Sequence, residues 1–160
     1  MIETRTLKNY ALFGGLTEEQ IDKIFPLVAE RQFEPGEIIL TEGTPNDKIL
    51  FILDGKVSVV KGGMVVYDLP EGHTFGEMEA LDIMPSETSA VAVTDVKVII
   101  ISSKSLRDIY QVDNKMGCLL LMNLARNLSR RLRVANEVIN DHGIYESYST
   151  KLLSKESKCM

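Results

Sequence analysis

Two histidines, His73 and His142, and two cysteines, Cys118 and Cys159, are the chain's whole supply of imidazole and thiol. So few argue against a histidine-built metal site of the cupin sort, a zinc cluster or a disulfide framework. The thiols are expected to be reduced, Cys118 as a buried apolar residue and Cys159 as an exposed tail thiol. No Ser–His–Asp set, paired carboxylates or metal-ligand constellation is legible, so catalysis is not expected. His73 could lend a positive charge when protonated, or simply be exposed on a loop. Ser86, Thr88 and Ser89 offer hydroxyls at close spacing. They could hold a small ligand, or be turn and strand residues satisfied by local backbone. Arg126, Arg130, Arg131 and Arg133 form a modest basic cluster. On a helix such a run ordinarily makes a solvated face.

The charge around these residues is uneven. The chain of 160 residues has a net charge of −5. Residues 1–100 carry 17 acids and 8 bases, net −9, and residues 101–160 carry 6 acids and 10 bases, net +4. The first part repels nucleic acid. The length suits one domain. No apolar run approaches the roughly 18 to 20 residues of a membrane span, so no membrane contact is expected. The start, MIETRTLKNY, has no apolar signal region, and the expected location is cytoplasmic.

Residues 1–30 read as helical. Thr17-Glu18-Glu19-Gln20 has capping-box form, and Ile21, Ile24, Phe25 and Val28 follow at helical spacing. The helix should end before the turn Phe33-Glu34-Pro35-Gly36. Residues 37–101 read as β. Short branched segments, 37–40, 49–53, 56–60, 64–69, 88–93 and 97–102, are the expected strands. Asp54-Gly55 and Gly62-Gly63 are strong hairpin marks, because those turns need positive φ. Many short strands at close spacing imply a sandwich or barrel. Ser103 should cap a short helix through Ile109. Asp113 should start a long one to about Asn140, with Gly143 just beyond its end.

With these elements in place, five segments resemble the cyclic-nucleotide-binding domain family. Leu12-Phe13-Gly14-Gly15-Leu16-Thr17 resembles its opening helix. Phe33 to Ile39, Glu42-Gly43 and Phe51 to Val57 resemble its first strands and their glycines. Gly72-His73-Thr74-Phe75-Gly76-Glu77-Met78 resembles the opening of its phosphate-binding cassette. The resemblance covers about residues 7–140. It implies a mainly β fold, an eight-stranded jelly-roll (double-stranded β-helix) barrel flanked by N-terminal helices and a long C-terminal helix. The expected layout is a jelly-roll domain over 1–112, a long helix over 113–142 and a mobile tail over 143–160. The implied role is a non-enzymatic sensor for a small-molecule ligand, a cyclic nucleotide or another small anion, with no other cofactor.

In the family, the cassette's short helix offers backbone N–H groups to the cyclic phosphate. Its glycine, here Gly76, permits close approach, and the next glutamate, here Glu77, accepts from the ribose 2′-hydroxyl. An arginine nine residues later, after a proline, neutralises the phosphate with a planar, always-charged guanidinium. This chain departs there. Pro85 is present, but Ser86 stands in the arginine position and Glu87 follows. No lysine or arginine lies between Lys61 and Lys97. Nucleotide binding is therefore expected to be weak or altered in preference. Gly76, Glu77 and Met78 would line one side of the pocket and Ser86, Thr88 and Ser89 the other. The alternative is a vestigial pocket on an interaction or dimerisation module.

The long helix resembles the dimer helix of catabolite-activator-type regulators. Ala135 and Asn136 hold the places of a Thr-Ser pair that touches the purine, so Asn136 would close the pocket. No helix-turn-helix DNA-binding domain is expected to follow, so the output is expected to pass through a protein effector or a mixed dimer with a complete regulator. Leu121, Ala125, Leu128, Leu132, Ala135 and Ile139 recur at 4-3 spacing, a heptad seam that implies a homodimer through this helix.

Overall fold

The computed structural model describes residues 7–141. The jelly-roll reading holds. Eight strands form two antiparallel four-stranded sheets. They are β1 (Ala29–Phe33), β2 (Ile38–Leu40), β3 (Lys48–Asp54), β4 (Val57–Lys61), β5 (Met64–Leu69), β6 (Thr74–Phe75), β7 (Ser89–Ala92) and β8 (Val96–Ser102). One sheet runs β1-β8-β3-β6 and the other β2-β7-β4-β5. The core between them is apolar and fully buried, with Leu50, Ile52, Val57, Val59, Phe75 and Val98 among its members.

Alternation across each strand explains the packing. Leu50 and Ile52 of β3 point into that core. Ile49 and Phe51 point the other way and are equally buried. Phe51 meets Tyr10 and Phe13 edge-on, with ring centroids 5.3 and 5.2 Å apart. A strand covered on both faces reads as the continuous apolar run Ile49 to Leu53. Gly55 makes the hairpin to β4 at φ 89, and a Cβ there would lie 2.1 Å from the Asp95 carbonyl oxygen.

The N-terminal region corrects the sequence reading. Helix α1 covers Glu18–Ile24 only, and a 3₁₀ turn, Phe25–Leu27, follows it. The capping box is formed: Gln20 N–H donates to Thr17 Oγ1 and Thr17 N–H donates to Gln20 Oε1. Pro26 lacks the N–H that a further helical turn requires. Val28 is extended, and Ala29–Phe33 pairs with β8, Ala29 opposite Ile100 and Phe33 opposite Val96. Residues expected to be helical therefore supply an edge strand, because a long-range partner overrides local periodicity.

Three more helices follow: α2 (Glu77–Asp82), α3 (Ser103–Val112) and α4 (Asn114–Asp141). Ser102, one residue before the expected cap, accepts from Ser105 N–H at the start of α3. Asp113 caps α4, accepting from Met116 N–H at 3.0 Å and from Gln20 Nε2 at 3.2 Å. The Met116 amide and the Gln20 side chain together hold its carboxyl below the ordinary aspartate value. Cys118 is exposed on α4, not buried as expected. The chain divides into two compact units, Met1–Leu121 and Met122–Met160. His142, Gly143, Cys159 and the expected tail 143–160 lie outside the described residues. Among those described, no helix is long and apolar enough to cross a membrane.

Candidate functional site

The cassette is built on β6. Thr74 and Phe75 are buried and pair with Phe51 and Leu50 of β3, which fixes where the chain turns into α2. Gly76 is the turning residue, at φ 73. A Cβ there would lie 2.8 Å from both Asn46 Nδ2 and the Lys48 carbonyl oxygen. Asn46 Nδ2 donates to the carbonyl oxygens of Gly76 and Lys48, at 2.9 and 2.8 Å. Sequence reasoning missed this clamp. Nothing in Pro45-Asn46-Asp47 beyond a turn composition could have announced it.

Glu77 and Glu79 sit on α2, only 1% and 8% exposed. Met78 between them is 59% exposed and points away from both. Ile83 ends the helix in the left-handed region, at φ 57, and Ile83 N–H donates to the Glu79 carbonyl oxygen. The following segment returns over the helix. Ser86 is 3% exposed, and its backbone is tied to the neighbouring turn: Ser86 N–H donates to Thr44 O and Gly43 N–H donates to Ser86 O.

The expected ligand-binding hydroxyls have different fates. Ser86 Oγ lies 2.9 Å from the Thr88 carbonyl oxygen and 3.3 Å from Glu79 Oε1. Its single proton serves one acceptor at a time. Glu87 N–H also donates to Glu79 Oε1, at 3.3 Å. Ser89 Oγ accepts from Glu42 N–H. The half-buried Thr88 hydroxyl makes no hydrogen bond among the described residues. Asn136 is exposed on α4, in the second compact unit.

The sequence reading gave no role to two charged groups here. Glu79 is a resident carboxylate that takes both an O–H and an N–H from the arginine-position segment. Lys61 lies outside the cassette in sequence, yet its ammonium is 3.7 Å from the Glu87 carboxylate. That pair is about half exposed, so the attraction is heavily screened. Among the described residues, no group of three or more His, Cys, Asp or Glu could hold a metal ion.

Known proteins resemble this chain over the same stretch. The sequence pattern of the cyclic nucleotide-binding domain matches residues 30–113. The cyclic AMP receptor protein of Thermus thermophilus is 31% identical over 135 residues, covering 81% of this chain and 61% of that protein. A cAMP-dependent protein kinase regulatory subunit from Hypocrea atroviridis is 30% identical over 92 residues, 58% of this chain and 20% of its own length. The chain thus spans less than two thirds of each of these relatives. A crystal structure of a cyclic nucleotide-binding domain from Methylobacillus flagellatus KT matches with a TM-score of 0.77 at 26% identity. That match covers 87% of this chain and 81% of the other.

Proposed function

Because the chain belongs to the cyclic nucleotide-binding domain family, we propose that it is a ligand-sensing regulatory module, not a catalyst, with weakened or altered nucleotide preference. The observation that carries this reading is the Glu79 carboxylate. It takes the Glu87 N–H and lies 3.3 Å from Ser86 Oγ, at the point where the family resemblance puts a cation for the phosphate. Loss of a charge-assisted bond costs about 1.5 to 3 kcal/mol. Repulsion from a fixed carboxylate adds to it. Affinity for cyclic AMP should then be about ten- to a thousand-fold below that of an arginine-bearing cassette, at 1.4 kcal/mol per tenfold. Calorimetry with cyclic AMP, cyclic GMP and cyclic dinucleotides tests this. Micromolar cyclic AMP binding would overturn it.

A second reading, a vestigial pocket on an interaction module, draws support from two features. The Ser86 and Ser89 hydroxyls are used internally. Met78, Leu81, Ile83 and Met84 around α2 are exposed, Ile83 by 90%. Absence of heat with every nucleotide at millimolar concentration favours that reading.

The module is further proposed to work as a homodimer through α4. Of the heptad positions, Leu121 and Leu132 are exposed by 38% and 53%, and Leu128 is half-buried. Exposed apolar stripes of this kind mark interfaces. Sedimentation should show a dimer at micromolar concentration, and Leu128→Glu should sediment as a folded monomer, because two facing carboxylates would be desolvated without partners. A wild-type monomer, or a folded dimeric variant, removes the proposal.

A further inference from the structure

The sandwich has an open mouth where the free edges of β1 and β2 face each other. It holds a cavity of about 630 Å³, within the range of small-molecule sites. Its floor is apolar, formed by Phe33, Ile39, Leu40, Leu50 and Ile100. These residues belong to the inner apolar layer, and four of the five are only partly covered there.

Strand alternation puts two cations on that same inner face. Arg31 stands two residues from Phe33 on β1, and Lys48 two residues from Leu50 on β3. Ladder register places Arg31 opposite Val98 and Lys48 opposite Ser102, so they flank β8 from its two sides, four residues or about 13 Å apart along it, a gap their long side chains can narrow. Both line the cavity and both are exposed. Neither forms an ion pair or a side-chain hydrogen bond with any described residue. No aspartate or glutamate lines the cavity, although residues 1–100 carry 17 acids against 8 bases. Ser102 and Ser105 also line it, but their hydroxyls bond to each other at 2.9 Å.

An inward-facing charge on an edge strand can serve only to discourage edge-to-edge pairing. That accounts for Arg31 on β1. Lys48 starts β3 beyond the two residues that β6 pairs, Leu50 and Phe51, so the same reading covers its position; edge protection does not account for the apolar floor or for the absence of acids around both cations. A cationic, acid-free mouth over an apolar floor, in an otherwise acidic domain, matches one class of occupant by shape and charge. We propose that this mouth binds a small free amphipathic carboxylate, its apolar chain on Phe33, Leu40 and Ile100 and its head between Arg31 and Lys48. None of the residues that line this mouth belongs to the cassette, although Leu40 and the Lys48 carbonyl oxygen border Gly76.

Amide-resolved NMR titration of the full chain with decanoate, below its micelle concentration, tests the proposal. Decanol serves as the uncharged equivalent and citrate as an anion without an apolar chain. The expected result is saturable shifts at residues 31–33, 38–40, 48–50 and 100–102. Arg31→Gln with Lys48→Gln should weaken decanoate at least tenfold and leave decanol unchanged, with the remaining amide spectrum intact. Citrate should leave these amides unmoved. No saturable shift in this set overturns the proposal. So does decanoate affinity that the double variant leaves unaltered, or a decanoate response confined to residues 74–89.

Discussion

Glu79→Ala combined with Ser86→Arg and Glu87→Ala should bind cyclic AMP about ten- to a thousand-fold more tightly than the wild-type chain, by the same charge-assisted bonding whose loss weakens the native site. All three changes are needed. An arginine at position 86 alone would emerge beside Glu79, a buried carboxylate that already accepts from Ser86 Oγ. Arginine and carboxylate make a strong bidentate pair, so the guanidinium would be consumed internally. The variant retaining Glu79 should therefore gain far less than the triple variant. Glu87→Ala removes the second carboxylate, and Glu79→Ala frees the position-87 amide that Glu79 now holds. Calorimetry on wild type, Ser86→Arg/Glu87→Ala and the triple variant gives the order directly. A triple variant that folds and gains nothing would place the cassette among vestigial pockets. Equal gain with and without Glu79 would remove the blocking role assigned to that carboxylate.

Gly76→Ala should destabilise the domain by about 2 to 4 kcal/mol, the sum of left-handed backbone strain and overpacking. At the usual entropy of unfolding for a chain of this size, that lowers Tm by about 6 to 12 °C. The added methyl would stand 2.8 Å from both Asn46 Nδ2 and the Lys48 carbonyl oxygen, and 3.1 Å from Leu40 Cδ1. Asn46 cannot retreat without releasing the carbonyl oxygens of Gly76 and Lys48. Gly62→Ala is the matched control. Its φ is also positive, at 55, but nothing lies within 4 Å of its Cβ position. It should cost about 1 kcal/mol, the backbone term alone. Thermal unfolding of the two variants separates the contributions, and equal losses would mean that packing around Gly76 contributes nothing.

Much of the architecture was legible in the residues. The capping box at Thr17, the hairpin glycines, six of the eight strands and the long helix from Asp113 are consequences of local chemistry. A hydroxyl three residues before a glutamine, or a Gly-Gly between apolar runs, dictates the same backbone wherever it occurs. The cassette was legible for a related reason. Phe75, Gly76 and Glu77 are adjacent in the chain, and only glycine accepts the turn between them. That Ser86 stands in an arginine position is implied by the family resemblance, which puts that residue nine positions after Glu77.

What escaped depends on groups far apart in sequence. Ala29–Phe33 became a strand because β8, some seventy residues later, offered it a ladder. Cys118 sits on a helical face whose exposure depends on what packs around it. The Asn46 clamp and the Lys61–Glu87 pair join segments separated by 30 and 26 residues, through contacts that no periodicity encodes. The Glu79–Ser86 contact is shorter in sequence, but only the left-handed residue at Ile83 turns the chain back to make it. The amino-acid sequence by itself determined the sheet class, because strand patterning and turn glycines follow from residue type and local spacing, and it carried the family resemblance on which the cassette reading rests. The tertiary structure alone decided which buried carboxylate holds the Glu87 amide and which inward cations form no ion pair among the described residues. Burial and pairing are properties of neighbours, and neighbours are set by the fold.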